Sequence, residues 1–162
     1  MAAATAVPAA TQQKSKLPIN IQSNQATFDQ KNGKSVYEGA VKLTRGGLTL
    51  TGDKLVLTNT RQRGQLHAVL TGSPAQIAKK PDQAGSHTID GHAQRLIFDN
   101  PDRTVTMRGE AFLKRADGNA VRGAKIIHNL DTDQSRALRG NKNNERVKVT
   151  LQPKDTSGNG NK

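Results

Sequence analysis

Four histidines and one short acidic motif are the first residues of this chain whose chemistry suggests a site. His67, His87, His92 and His128 lie in separate segments, without the His-x-His or His-x3-His spacing that brings two imidazoles to one metal. DTDQ, residues 131–134, begins with the acid spacing of a calcium loop but lacks the later glycine and glutamate. The sequence therefore predicts a turn at DTDQ and no metal site.

Nucleotide and acyl-transfer chemistry are also poorly supported by the residues. GLTLTGDK, residues 47–54, has the two spaced glycines of a phosphate loop, but Asp53 precedes the lysine and the segment follows a strand pattern. There is no GxSxG motif, and the absence of cysteine excludes a thiol nucleophile and disulfides. No pair of carboxylates suggests acid–base catalysis. We expect a protein that is not an enzyme and has no cofactor.

Alternating apolar and polar residues predict the elements that would position any site. In VYEGAVKLTRGGLTLTGDKLVL, residues 36–57, Gly46 and Gly47 form a tight turn between two strands. Gly52 predicts a bulge, because the apolar positions change parity to Leu55 and Leu57 beyond it. Further strands are predicted at 17–23, 26–30, 65–70, 74–79, 87–99, 103–115, 120–130, 135–140 and 145–152. No segment has a helical period, so the whole domain is predicted to be antiparallel β.

The chain also contains an internal repeat with an offset of about seventy residues. Tyr37-Glu38-Gly39 matches Met107-Arg108-Gly109, and Leu50-Thr51-Gly52 matches Val121-Arg122-Gly123. Repeated strand–glycine–strand units predict a β-solenoid or an elongated jelly roll, in which glycines let a sheet curl over its own apolar face.

Composition restricts both the core and the partners. Only 33% of residues are hydrophobic, and the aromatics are one tyrosine and three phenylalanines, so apolar side chains must lie on one face of each strand. The net charge of +12 is spread over the chain and attracts nucleic acid, phosphorylated lipid or anionic glycan. No apolar run is long enough for a membrane helix, and MAAATAVPAATQQ is not a signal peptide. We expect residues 1–16 and 154–162 to be disordered and residues 17–153 to form one domain.

Five segments resemble one known family in order and spacing. They are PINIQSNQATFD, YEGAVKLTRGGLTLTGDKLVLT, GSPAQIAKK, IDGHAQRLIFDNPDRTVTMRGEAFLKR and ERVKVTLQP. Together they resemble the OstA-like family of periplasmic lipopolysaccharide-transport proteins over about residues 17–153. The resemblance implies an elongated, twisted, open β-jelly roll that binds lipid A acyl chains in its interior. It also implies a periplasmic location and head-to-tail assembly with copies of itself. An inner-membrane-anchored partner would meet the N-terminal edge, and an outer-membrane β-barrel translocon the C-terminal edge.

The resemblance and the alternation together predict the lipid-binding residues. Ile19, Ile21, Ile77 and Phe98 resemble lipid-contacting positions of the family. Alternation adds residues of the same face: Tyr37, Val41, Leu43, Leu48, Leu50, Leu96, Met107 and Leu113. Lys42 and Arg108 have the opposite parity and are predicted to face away.

The two terminal strands are the predicted assembly edges. Leu17, Ile19 and Ile21 alternate on the first strand, and Val147, Val149 and Leu151 alternate on the last, with little to block strand addition. Two other functions stay open from the residues: a basic nucleic-acid-binding β-domain, and a purely structural β-solenoid whose inward face is ordinary core. The scarcity of aromatic platforms argues against single-stranded nucleic acid.

Overall fold

Ten antiparallel strands form one continuous sheet in the computed structural model, which describes residues 18–60, 65–81, 88–99, 103–142 and 146–153. The strands are β1 (Asn20–Gln22), β2 (Gln25–Asp29), β3 (Lys34–Arg45), β4 (Leu48–Thr60), β5 (Gln65–Lys79), β6 (Ile89–Asp99), β7 (Thr104–Arg115), β8 (Ala120–Asn129), β9 (Ser135–Leu138) and β10 (Lys148–Thr150). Within these ranges no helix is long and apolar enough to cross a membrane. The predicted antiparallel all-β class is confirmed.

The sheet is a meander whose two edges are each made of two short strands. From β3 to β8 every strand pairs with its neighbours in the chain. β1 and β2 both pair with β3, with Ile21 opposite Leu43 and Ala26 opposite Tyr37. At the other end β9 and β10 both pair with β8. The sheet is therefore open, with one edge from the first residues of the domain and the other from the last.

A line of register breaks crosses the five pairings between β3 and β8. The pairing stops and resumes at Glu38/Val41, Thr51/Lys54, Thr71/Ala75, His92/Arg95 and Arg108/Ala111. We call the part that contains the β3–β4 hairpin turn half-sheet A (41–52, 75–79, 89–93, 111–123) and the other part half-sheet B (34–38, 54–60, 65–71, 95–99, 104–108, 125–129). Because bulges bend strands and increase their twist, this line is where the sheet folds.

The internal repeat is visible in the pairing itself. Val41 pairs with Gly52 and Leu43 with Leu50, in the first repeat. In the second repeat Ala111 pairs with Gly123 and Leu113 with Val121. The predicted bulge at Gly52 is confirmed, since the pairing of β4 with β5 breaks between Thr51 and Lys54.

The two half-sheets pack face to face. Gly91 lies in half-sheet A, and a Cβ atom added there would be only 2.9 Å from the Cε of Met107 in half-sheet B and 3.1 Å from the Cγ2 of Ile77. The approach of Met107, on the other side of the break, indicates that the sheet is folded over its apolar face. A Cβ at position 91 would also lie 2.7 Å from the Phe112 main-chain oxygen on the neighbouring strand, so glycine is required for this close packing.

Several predicted boundaries need correction. The strands expected at 65–70 and 74–79 are one strand, β5, which continues through Pro74 although its pairing lapses from Thr71 to Ala75. Pro74 has no N–H to donate, so the ladder is interrupted while the chain stays extended. The first and last strands are shorter than predicted, at three residues each. The predictions for residues 1–16 and 154–162, and for His87, lie outside the described residues.

Candidate functional site

The buried hydrophobic residues of the described chain line the interior face between the half-sheets. One row in half-sheet A runs across eight strands in register: Ile21, Leu43, Leu50, Ile77, Gly91, Leu113, Val121 and Val149. A facing row in half-sheet B consists of Tyr37, Leu55, Leu70, Leu96, Met107, Ile126 and Ala137. The apolar face is thus continuous from the first edge to the last.

The middle of this interior is closely packed. Leu55, Val105, Met107 and Ile126 have no exposed surface at all, so no space as large as a water molecule lies beside them. Burial of a leucine or methionine contributes about 1.5–3 kcal/mol, which makes the middle rows the main source of stability. A guest molecule in this middle part of the interior must therefore displace contacts between the half-sheets.

Apolar side chains are exposed at both ends of the interior, whereas those in the middle are buried. At the first edge Phe28 is 64% exposed, although its ring contacts Tyr37 edge-on with the ring centroids 6.0 Å apart. At the last edge Val149 is 56% and Leu151 is 71% exposed. The apolar face therefore continues to the exposed residues at both ends, because among the described residues no further strand pairs beyond β2 or β10.

A polar cluster closes the side of the interior opposite the bulges. The Lys79 ammonium, at the end of β5 in half-sheet A, donates a hydrogen bond of 2.8 Å to the Leu130 carbonyl, which follows half-sheet B. The Arg115 guanidinium, at the end of β7, donates to the main-chain carbonyl of Asp133. These contacts join the tips of the two half-sheets. We call this line the seam, and Lys79, Arg115, His128, Leu130 and Asp133 the seam cluster.

Two polar residues of the seam cluster, Lys79 and His128, are buried, and the cluster is not fully paired. Lys79 is 5% exposed and its Nζ is 3.9 Å from Asp133 Oδ1, beyond hydrogen-bond distance. His128 is 1% exposed; its Nδ1 is 2.8 Å from the Ser135 hydroxyl, while its Nε2 is 3.7 Å from Asp133 Oδ1. Neither His128 Nε2 nor Asp133 Oδ1 has a hydrogen-bond partner among the described residues. A buried polar atom without a partner costs about 1–3 kcal/mol.

The charge state of the seam follows from this burial. Burial lowers the pKa of His128 to about 4, outweighing the opposite effect of the nearby Asp133 carboxylate. His128 is therefore neutral at neutral pH. Burial also lowers the pKa of Arg45, which lies in the same tip row of half-sheet A as Lys79, and Arg103 lowers it further. The seam is thus lined by cations on the side of half-sheet A.

The sequence of this chain matches one known protein family over most of the sheet. The family described as LptA/(LptD N-terminal domain) LPS transport protein matches residues 20–134. The chain belongs to this family.

Two bacterial relatives match most of the chain. The lipopolysaccharide export system protein LptA of Escherichia coli K12 is 26% identical over 146 residues, covering 90% of this chain and 76% of the relative. The lipopolysaccharide export system protein LptH of Pseudomonas aeruginosa is 27% identical over 143 residues, covering 85% and 80%. The resemblance to the OstA-like transport family is confirmed.

A solved structure shares the fold. The crystal structure of LptH, the LptA-homologous periplasmic component of the lipopolysaccharide transport device of Pseudomonas aeruginosa, aligns with a TM-score of 0.78 at 24% identity. The alignment covers 86% of this chain and 99% of that one. The predicted open β-jelly roll is therefore confirmed.

All twelve residues predicted to bind lipid lie on the interior face. Nine are buried in the core and three, Ile19, Ile21 and Tyr37, are partly buried against it. Lys42 and Arg108 are exposed on the outer face, as their parity predicts. Contact of the interior residues with lipid stays a prediction. Of the assembly residues, Val147, Val149 and Leu151 are exposed at the last edge, and Leu17 lies outside the described residues.

Alternation alone missed part of the interior and all of the seam. The further core residues are Leu55, Ala68, Leu70, Ala75, Ile89, Ala93, Val105, Ala111, Ile126 and Leu130. Strand parity beyond each bulge could have found the large ones, but the four alanines do not stand out from polar neighbours. Lys79, His128 and Asp133 gave no signal, because they are brought together only by the folding of the sheet. The predicted turn at DTDQ is confirmed, and Asp133 within it belongs to the seam cluster.

Aromatic side chains offer no stacking platform on the outer face. The Phe112 ring lies between His92, with ring centroids 5.1 Å apart, and the Arg122 guanidinium, 4.6 Å from the ring centroid. Neighbouring side chains thus occupy the ring where a base would stack. Tyr37 and Phe98 face inward.

Proposed function

We propose that this protein binds lipopolysaccharide with its acyl chains between the half-sheets and transports it across the periplasm. The observation that carries the proposal is the apolar row from Ile21 to Val149, which crosses the whole sheet and ends in a partly buried Ile21 at the first edge and an exposed Val149 at the last. In a member of the lipopolysaccharide-transport family, such a row is suited to be a path. An ordinary core would be closed at its ends.

The energetics suit transfer between binding positions. Each methylene removed from water contributes about 0.8 kcal/mol, so acyl chains are strongly driven into an apolar interior. The half-sheets bury the same face against each other. Acyl chains that enter replace one apolar contact by another, so the net affinity at each position stays moderate and the lipid can move on. We infer that this chain is not an enzyme, uses no cofactor and carries out no energy-consuming chemistry itself.

Charge supports lipid as the ligand, in preference to nucleic acid. Lipid A carries phosphates, and cations such as Lys79 and Arg115 lie where the interior reaches its seam. A nucleic-acid binder would present aromatic rings beside its cations, whereas Phe112 is flanked by His92 and Arg122. Nucleic-acid binding is therefore kept only as an alternative result of the binding experiments.

We infer that the two open edges support head-to-tail assembly. Among the described strands β10 pairs only with β8, so its other side is unpaired there, and Val147, Val149 and Leu151 are exposed beside it. A strand added to β10 would extend the interior row from one protomer to the next. The resemblance to the transport family implies, in addition, that an inner-membrane-anchored partner meets the first edge and an outer-membrane β-barrel translocon the last.

Photo-crosslinking tests the proposed path directly. A photoreactive residue at Ile21 or Phe98 should capture lipopolysaccharide, because both side chains lie on the interior face. The matched controls are Lys42 and Arg108, whose side chains lie on the outer face. Lys42 precedes Leu43, the partner of Ile21, and Arg108 follows Met107. Equal capture at interior and outer positions would refute the proposal.

A further inference from the structure

The tip row of half-sheet A places cations directly beside the proposed acyl path. Lys79 and Arg115 both pair with Ile89, one from each neighbouring strand, so the three residues lie in one row facing the interior. The next interior row, with Ile77 and Leu113, lies two residues further along the strands, or about 7 Å away. A molecule with acyl chains on the inner row would have its first polar groups at Lys79 and Arg115.

The present partners of these two cations are weak substitutes for an anion. Within the described ranges, Lys79 makes one hydrogen bond, to the neutral carbonyl of Leu130, although an ammonium has three N–H donors. Asp133 is close enough to attract it but lies 3.9 Å away. Arg115 likewise binds a main-chain carbonyl, that of Asp133. Both cations therefore have donors that an anion with several oxygens could engage.

A second observation points to a missing ligand at the same place. His128 Nε2 and Asp133 Oδ1 are buried and have no hydrogen-bond partner among the described residues. Unpaired polar atoms of this kind are uncommon in interiors and call for an explanation. A seam whose contacts are exchanged for those of a ligand explains why the closed arrangement is left incomplete.

Phosphate is the chemical group that fits this exchange. Its oxygens accept several charge-assisted hydrogen bonds at once, from an ammonium and from a guanidinium. We propose that Lys79 and Arg115 bind a phosphate of the lipid headgroup, which takes the place of the Leu130 carbonyl and of Asp133 when the seam opens to admit the acyl chains. This assignment rests on the proposed function, and it names the residues that bind the phosphate of the headgroup.

The sharpest experiment compares two lipids that differ only in phosphate. Binding of bis-phosphorylated lipid A and of its enzymatically dephosphorylated form, with identical acyl chains, is measured for the full chain. Lys79→Met and Arg115→Met should each weaken binding of the phosphorylated lipid about tenfold, as expected for loss of a charge-assisted contact, and change binding of the dephosphorylated lipid less than about twofold. Methionine keeps the aliphatic stem of the lysine, so packing is largely retained.

The chain itself supplies matched controls. Lys80 and Lys114 are exposed neighbours of Lys79 and Arg115, so Lys80→Met and Lys114→Met remove the same charge from the outside. Both control variants should leave the preference for the phosphorylated lipid intact. An equal loss in controls and seam variants would mean that the general charge of the protein is responsible, and would overturn the assignment.

Asp133→Asn distinguishes exchange from simple attraction. Asp133 has φ of +55°, a conformation that asparagine adopts readily, so the turn should persist. Without the competing carboxylate, binding of the phosphorylated lipid should tighten by about threefold to tenfold, while binding of the dephosphorylated lipid should not change. Unchanged or weaker binding of the phosphorylated lipid would overturn the exchange. This variant also tests the proposal if the Lys79 variant does not fold.

Two further measurements distinguish binding of the lipid headgroup from binding of free phosphate and from failure of the acyl path. Inorganic phosphate at about 10 mM should give no binding that depends on Lys79, because without acyl chains the seam stays closed; such binding would make this a free-phosphate site instead. If the unsubstituted chain fails to bind even the dephosphorylated lipid, the acyl path itself is refuted, and with it the proposed function. If only the seam assignment is wrong, the unsubstituted chain should still bind the dephosphorylated lipid, and Lys79→Met should not change the preference for the phosphorylated lipid.

Discussion

Gly39 and Gly109 occupy equivalent places in the two sequence repeats, at the line where the sheet folds. Their φ angles are +83° and +79°, and each is followed by a second residue with positive φ, Ala40 at 46° and Glu110 at 47°. The two pairs lie in the register breaks of β3 with β4 and of β7 with β8. The same backbone conformation thus bends β3 and β7, the corresponding strands of the two repeats.

Substitution of either glycine by alanine should weaken the fold. Alanine is strained at positive φ, and an added Cβ would lie 2.6 Å from Asn24 Nδ2 at position 39 or 2.5 Å from Gln94 Oε1 at position 109. We expect each variant to lose about 1–3 kcal/mol of unfolding free energy in urea denaturation. Glu110→Gly is the matched control, since it relieves a positive φ and should be neutral or slightly stabilising. A destabilised control together with unaffected alanine variants would contradict this explanation of the fold line.

Acidification should destabilise the protein through His128. Its pKa is about 4 in the folded state and about 6.5 when exposed, so the unfolded state takes up the proton first as the pH falls. The unfolding free energy should therefore decrease between about pH 6.5 and pH 4, by roughly 3 kcal/mol from this residue, and its contribution should level off below. His128→Gln, measured by urea denaturation at pH 7 and 4.5, should lose less stability than the unsubstituted protein. Equal losses would show that the imidazole does not control this window.

Salt should affect lipid binding only modestly. At about 0.5 M salt the Debye length falls to about 4 Å, which screens encounter with the headgroup but leaves acyl burial intact. We expect affinity for lipopolysaccharide to fall by less than about tenfold between 0.1 and 0.5 M salt. A loss of several orders of magnitude, accompanied by binding of an oligonucleotide, would instead indicate a phosphate-dominated ligand such as nucleic acid.

Removal of the last edge should abolish assembly and spare lipid binding. Because a contact between the last edge of one protomer and the first edge of the next does not close, the full chain should form a concentration-dependent series of sizes. Deletion of residues 145–162 removes β10 and the exposed Val147, Val149 and Leu151, and should leave a folded monomer. Analytical ultracentrifugation over a range of concentrations checks this. An unchanged series in the truncated protein would place the contact elsewhere.

The class of fold, its repeat and its apolar face could all be predicted from the order of residues. Alternation depends only on the two-residue period of a strand, so Leu43, Leu50 and Leu113 could be placed on one face without knowledge of their neighbours. The match of Gly39 with Gly109 likewise needed only the order of residues. Five segments in the right order were enough to suggest the transport family, which the match over residues 20–134 confirms.

The tertiary structure alone decided how far the interior is closed and what closes it. Whether pairing continues through Pro74, and where half-sheet A meets half-sheet B, depends on contacts between residues distant in the chain. Lys79 and Leu130 are fifty-one residues apart and meet only because the sheet folds along its line of breaks. Local patterns carry no information about such a meeting. For this reason the apolar path could be predicted from the sequence, while the polar seam beside it could not.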